Sequence, residues 1–171
     1  MKIRNAETKD LGKIMSLISS CIEDMEGRGI HQWDEIYPDE KTIINDMEKK
    51  QLYLLEEGNQ ICGIIALNEF QEPQYKTVDW KFSGKSLVVH RLAIEPAYQR
   101  SGCAKMLMDF AYKFAIEEDY ENIRLDAFIK NPAAVGLYEK LGYRNAGTVT
   151  FRKGDFFCYE IDVDSIKSEI E

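Results

Sequence analysis

Residues 86–105 read Ser86-Leu87-Val88-Val89-His90-Arg91-Leu92-Ala93-Ile94-Glu95-Pro96-Ala97-Tyr98-Gln99-Arg100-Ser101-Gly102-Cys103-Ala104-Lys105. Ser86 to Ile94 is rich in β-branched and aliphatic residues and reads as a strand. Pro96 ends it, because a proline has no N–H to give a ladder. From Cys103 the pattern changes: Cys103, Met106, Leu107, Phe110, Ala111 and Phe114 recur at helical spacing, so a helix begins just after Gly102. Ile123 to Ile129 is a second aliphatic strand. A strand, a crossing helix and a second strand imply two parallel neighbours, since antiparallel ones need only a hairpin.

Gly102 therefore stands where a strand gives way to a helix. Glycine lets the backbone adopt turn conformations and approach a ligand closely. The amides of a first helical turn have no intrahelical partners, and the helix dipole puts partial positive charge beside them. Arg100 and Lys105 add charge. Such a turn suits a pyrophosphate. It is not a P-loop, because no Gly-Lys-Ser/Thr follows, and the Gly-x-Gly-x-x-Gly spacing of a dinucleotide fold is absent.

Outward from this unit the chain alternates cleanly. Lys2 to Ala6 reads as a short strand. Leu11, Ile14, Met15, Ile18, Cys21, Ile22 and Met25 form a helical stripe closed by Gly27 and Gly29. A second helix is expected from about Glu40. Gln51 to Glu56 and Gln60 to Phe70 pair around Gly58-Asn59, and Gln71 to Gly84 reads mostly as loop. Pro132 opens a helix through Leu141 that Gly142 closes. Thr148 to Phe151 and Phe156 to Val163 form a last hairpin, and Ser165 to Glu171 are polar and expected to fray. The expected class is α/β of the mixed α+β kind. It has a central mixed, mostly antiparallel sheet, one parallel splayed pair (Ser86–Ile94 with Ile123–Ile129), and helices on both faces. No repeat or linker interrupts residues 1–171, so a single domain is expected.

Composition bounds the function. The chain has 171 residues, 44% of them hydrophobic and 30% charged, as in an ordinary globular protein. A net charge of −8 speaks against a nucleic-acid partner. Cys21, Cys62, Cys103 and Cys158 show no paired spacing, so buried free thiols are expected rather than a metal site. The N-terminus lacks an apolar signal core, and no apolar run is long enough to span a membrane, so no membrane partner and a cytoplasmic location are expected.

The segment from His90 to Ala104 resembles the acetyl-coenzyme A segment of the GCN5-related N-acetyltransferase (GNAT) superfamily, which carries Gln/Arg-x-x-Gly-x-Gly/Ala after its fourth strand. Gln99, Gly102 and Ala104 fit that pattern. Asn131-Pro132-Ala133-Ala134-Val135-Gly136-Leu137-Tyr138-Glu139-Lys140-Leu141-Gly142-Tyr143 resembles the second cofactor segment, in the expected order and separation. The resemblance implies acetyl-CoA as co-substrate and no metal. It implies pyrophosphate contacts from Gln99, Arg100, Ser101, Gly102, Cys103, Ala104 and Lys105, and pantetheine along Leu92, Ala93 and Ile94. Asn131, Ala134 and Tyr138 would meet the pantetheine and sulfur end, and a splay of the parallel strands would make the cleft.

Acetyl transfer to an amine needs a neutral amine, a polarised carbonyl and a protonated or stabilised leaving thiolate. Tyr138 is the candidate general acid, since a phenol is protonated at neutral pH. His90 is the candidate base, because it titrates near neutrality and strand alternation would put it on the face of Leu92 and Ile94. Glu23, Asp34, Glu35 or a water chain are alternatives. For the acceptor, Trp33, Tyr37 and Trp80 offer aromatic walls and Asp34 an attraction for an ammonium. The acceptor is expected to be a small-molecule amine; a protein amino group, and a non-catalytic acyl-CoA-binding module, remain open. A homodimer through exposed final strands is possible on this reading.

Overall fold

Seven strands form: β1 (Lys2–Asn5), β2 (Leu52–Glu57), β3 (Gln60–Asn68), β4 (Ser86–Ile94), β5 (Asn122–Phe128), β6 (Arg144–Phe151) and β7 (Gly154–Asp162). Five helices accompany them: α1 (Leu11–Gly27), α2 (Glu40–Glu48), α3 (Cys103–Glu117), α4 (Pro132–Lys140) and α5 (Val163–Ile170). The computed structural model describes residues 1–170, with side chains to Lys167. The strands make one mixed sheet in the order β1-β2-β3-β4-β5-β7-β6. The ladder joining β4 to β5 is parallel, with Ser86↔Asn122, Leu87↔Ile123 and Val88↔Arg124. Those of β1 with β2, β2 with β3, β5 with β7 and β6 with β7 are antiparallel. This is the mixed sheet with one parallel pair that the sequence implies.

The chain clusters into two compact units. The first holds Met1–Leu67 and His90–Asp109. Helix α1 turns Ile14, Leu17, Ile18, Cys21 and Met25 inward, one stripe at 3.6-residue spacing. Leu52, Leu54, Leu55, Ile64 and Ile65 of β2 and β3 are fully buried, each side chain contributing roughly 1.5–3 kcal/mol by its removal from water. Asp39 caps α2, accepting from the Thr42 amide at 2.8 Å. Gly63 lets β3 pass close to its neighbours: a Cβ there would lie 2.7 Å from Ile94 Cδ1, 3.0 Å from the Ala93 carbonyl oxygen and 3.1 Å from Leu107 Cδ1.

The second unit holds Asn68–Val89 and the residues from Phe110 onward. Leu87, Val88, Ala111, Ala115, Ile123, Leu125, Cys158 and Tyr159 are buried in it. Strand β6 starts at Arg144, four residues before the expected start. The reading stopped at Gly147, but the ladder steps over it by a register shift between Asn145 and Gly147, where glycine takes φ 147°. Helix α5 was not expected. Its first residue, Val163, is buried; its amide donates to the Glu121 carbonyl at 3.0 Å, and its carbonyl accepts from the Tyr112 hydroxyl at 2.9 Å. The expected fray falls on this helix, and Glu171 lies outside the described residues. All four cysteines are free and buried.

Gly63→Ala is expected to destabilise the fold by about 1–3 kcal/mol, because the nearest obstacles include a backbone carbonyl that cannot rotate away. The urea midpoint measures it; an unchanged midpoint would show that β3 can shift to make room.

Candidate active site

After β4 a single 3-10 turn, Pro96–Tyr98, leads into Gln99, Arg100, Ser101 and Gly102. Arg100 takes φ 61° and Gly102 φ 85°, both left-handed. The Ser101 hydroxyl donates to the Tyr98 carbonyl, and the Gln99 side-chain amide donates to the Ile94 carbonyl at 3.3 Å, which fix the turn. The first bond of α3 runs from the Met106 amide to the Gly102 carbonyl at 3.0 Å. Among the described residues the amides of Arg100, Ser101, Gly102, Cys103, Ala104 and Lys105 have no backbone acceptor. A Cβ on Gly102 would meet nothing within 4 Å, so the chain is open beside that residue. Cys103 is buried and anchors the helix start, while Arg100 and Lys105 are exposed. Lys105 pairs with Asp109 at 2.7 Å, an exposed contact that solvent screens to little net energy. Six consecutive unsatisfied donors at a positive helix end fit a pyrophosphate.

Strand β4 carries Leu92, Ala93 and Ile94 into this turn. Its regular alternation is broken at Arg91, which takes φ 51°. The alternation that would align His90 with Leu92 and Ile94 is therefore interrupted, and the placement of His90 inferred from it does not follow. His90 is half-buried and has interactions of its own. The Arg91 side chain turns into the unit. Its Nε and Nη2 donate to the two Asp46 carboxylate oxygens at 2.6 and 2.8 Å, and its Nη1 to the Tyr37 hydroxyl at 2.8 Å. The two charged side chains are only 9% and 3% exposed. Desolvation pushes the Asp46 carboxyl up, and the Arg91 charge and hydrogen bonds pull it back. The signal in the sequence is a charged residue in the midst of an aliphatic strand.

Tyr37 is thus held by Arg91. Asp34 turns its Oδ1 to the Ile36 and Tyr37 amides at 3.0 and 3.2 Å, the side chain closing its own turn. Trp33 is buried, 8% exposed, and so packs rather than lines an open wall. Glu23 and Glu35 are exposed.

In the second unit, Asn131 caps α4, its side-chain oxygen accepting from the Ala134 amide at 3.3 Å. One turn on, the Tyr138 ring is buried against Tyr143 and Tyr159, with centroids at 6.0 and 5.9 Å. Its hydroxyl has no hydrogen-bond partner among the described residues. Desolvation first, and the nearby Asp126 charge second, hold this phenol well above its ordinary value. Tyr138 is therefore protonated at every physiological pH.

The loop Gln71–Gly84 is ordered by the face of β5 and β7. The fully buried Glu160 carboxylate accepts the Lys81 and Phe82 amides at 2.8–3.1 Å. Trp80 lies over the Arg124 guanidinium at 4.4 Å and donates its ring N–H to the Tyr75 carbonyl at 2.8 Å. Arg124 donates to Gln71 Oε1 at 2.9 Å and to the Phe82 carbonyl at 2.7 Å. Gln71, Glu72, Tyr75, Lys76, Trp80 and Arg124 line a cavity of about 310 Å³. Beneath the loop, Tyr75 donates its hydroxyl to Asp126 Oδ2 at 2.6 Å. Burial pushes the Asp126 carboxyl up to about 6, against the lowering effect of that hydrogen bond. Sequence reasoning missed Asp126; a lone acid inside the strand Ile123–Ile129 was its signal.

No group of three His, Cys, Asp or Glu is placed to hold a metal ion among the described residues, and no helix of them is long and apolar enough to cross a membrane.

A helix-initial amide turn after a strand, followed by a capped helix with a buried tyrosine, defines a class that comparison with known proteins also finds. The profile of the Acetyltransferase (GNAT) family matches residues 15–143, and the chain belongs to that family. A stretch of 95 residues is 27% identical to mouse N-acetyltransferase 8F1, covering 56% of this chain and 40% of that one. The chain thus spans less than half the length of the curated relatives it matches first, with 48% for the rat N-acetyltransferase 8F1. The fold of a GNAT-family acetyltransferase from Streptococcus agalactiae 2603 superposes with a TM-score of 0.83 at 23% identity, over 94% of both chains. That of yncA from Salmonella typhimurium, solved with its cofactor acetyl-CoA, does so with a TM-score of 0.71 at 17% identity, over 96% of this chain and 94% of that one.

Arg91→Met leaves Asp46 buried without its partner and is expected to cost about 3–5 kcal/mol in urea unfolding. Adding Asp46→Leu should recover most of that loss. A single variant as stable as the parent would mean that the pair is not buried in solution.

Proposed function

We propose that this chain transfers an acetyl group from acetyl-CoA to the primary amine of a small molecule by direct attack, acting as one acetyltransferase domain. The observation that carries the reading is the run of unsatisfied amides from Arg100 to Lys105 around Gly102, in a chain of the GNAT family. The family profile draws on residues of both units, which supports a single working domain. The pinned loop Gln71–Gly84, with its aromatic lining, supports a small acceptor over a peptide, which needs an open groove.

The reaction follows from the residues. The amides from Arg100 to Lys105 bind the pyrophosphate oxygens, and Gly102 keeps side-chain atoms out of their way. Leu92, Ala93 and Ile94 line the pantetheine arm, and an amide of this strand polarises the acetyl carbonyl. Asn131 and Ala134 position the first turn of α4. Tyr138 donates its proton to the leaving sulfur; Tyr143 and Tyr159 pack its ring, and no acceptor among the described residues competes for the hydroxyl. Holding amine and thioester together supplies a large share of the rate, so no enzyme nucleophile is required.

The test is thioester consumption with purified protein, acetyl-CoA and a panel of polyamines, amino acids and short peptides. Turnover is expected with at least one free amine, and peptides alone as acceptors would overturn the small-molecule reading. Tyr138→Phe should lower kcat by about 100-fold or more with the Kd for acetyl-CoA unchanged. Gly102→Val should instead raise that Kd, because a β-branched side chain resists φ 85° and projects into the ligand's space.

A further inference from the structure

We propose that Asp126 is the proton acceptor for the incoming ammonium, with Tyr75 as its positioning partner; the inference rests on the acetyl transfer proposed above. Such transfer begins from an alkylammonium, whose pKa lies near 10, so a group must remove a proton before the nitrogen can attack.

The placement is what singles out Asp126. It sits two residues before the carboxyl end of β5, one strand of the parallel pair, and ligands of parallel strands bind at their carboxyl ends. It is half-buried. No lysine, arginine or histidine pairs with it among the described residues. Its Oδ2 is taken by the Tyr75 hydroxyl at 2.6 Å, which fixes the plane of the carboxylate. Among the described residues its Oδ1 has no hydrogen-bond partner. A carboxylate oriented by one donor, with its second oxygen unpartnered and no cation to neutralise it, is the arrangement a general base needs. The groups that face it are Tyr75 and Glu72 from the turn Pro73–Thr77 and the residue before it, Cys158 opposite on β7, and Tyr138 from α4. The Glu72 charge and desolvation both favour its protonated form, and the Tyr75 hydrogen bond favours its ionised form. The net value of about 6 leaves it mostly ionised at pH 7 while still able to hold a proton. The Asp126 charge also raises the Tyr138 phenol, so the proposed base and the proposed acid lie within electrostatic reach in the same unit.

The step balances. The ammonium gives one proton to Asp126 Oδ1, leaving a neutral amine and a carboxylic acid. The nitrogen lone pair forms the C–N bond to the acetyl carbon, and the C–S bond breaks with its electron pair going to sulfur. Tyr138 protonates the sulfur and is reprotonated by the second nitrogen proton through solvent. Asp126 returns its proton to water, so one proton is released for each acetyl group transferred.

The experiment is the pH dependence of kcat/KM, with an amine that the wild-type protein acetylates, for the wild type and for Asp126→Asn, Tyr75→Phe and His90→Ala. The wild type should lose activity below an acidic limb near pH 6. Asp126→Asn should lower kcat/KM by roughly 100-fold or more and abolish the limb, with the Kd for acetyl-CoA unchanged. Tyr75→Phe removes a bond that favours the ionised form, so its limb should move to higher pH. His90→Ala should keep the limb where it was. A limb that persists in Asp126→Asn, or that disappears in His90→Ala, overturns the proposal. If Asp126→Asn does not bind acetyl-CoA, the direction of the Tyr75→Phe shift decides, and a limb that stays put counts against it. Absence of turnover by the wild type with every amine overturns the acetyl-transfer reading itself and this inference with it, an outcome read before any variant is compared.

Discussion

A parallel ladder cannot be closed by a hairpin. Once Ser86–Val88 pairs with Asn122–Arg124 in the same direction, the chain must leave β4 at its carboxyl end, cross by a helix, and re-enter at the start of β5. Helix α3 is that crossing. Its N-terminus follows the carboxyl end of β4, and among the described residues its first amides have no backbone acceptor. The anion site proposed above is on this account a by-product of topology, with two left-handed residues, Arg100 and Gly102, in its turn.

The same logic explains which residues carry chemistry in the second unit. The antiparallel partner β7 sets Cys158 opposite Asp126 and Glu160 opposite Arg124. Polar groups on a buried sheet face must be satisfied, and the loop Gln71–Gly84 does this by lending amides to Glu160, a hydroxyl to Asp126 and carbonyls to its neighbours. Asn122 Oδ1 and Arg124 Nε are left without partners, so the satisfaction is incomplete at the start of β5. Asp126 keeps one oxygen free. On the proposed role, stability and proton transfer ask opposite things of that carboxylate, and the hydrogen bond from Tyr75 stands between them.

Much of this was legible in the sequence, for identifiable reasons. The span of β4, the start of α3 after Gly102 and the start of α4 at Pro132 follow from local rules about proline, glycine and apolar spacing. The family resemblance in Gln99–Ala104 rests on the same local pattern. Features set by partners distant in the chain were not legible. The left-handed backbone of Arg91 accompanies side-chain hydrogen bonds to Asp46 and Tyr37, which lie 45 and 54 residues away. Nothing in the alternation around His90 announces it. Aromatic and acidic residues in a loop look alike in sequence whether they stand open or pack and close turns: Trp33 is buried and Asp34 accepts from the amides of its own turn. Asp126 escaped notice because its chemistry depends on Tyr75, 51 residues away.

The central claim is that the amides from Arg100 to Lys105 hold the pyrophosphate of the acyl donor. Backbone amide chemical shifts, followed by NMR during titration with coenzyme A and then with dephosphorylated pantetheine, test it most directly. Large shifts at Arg100 through Lys105 with coenzyme A, and none there with pantetheine, are predicted. Unmoved amides in that turn during saturation with coenzyme A would contradict the account.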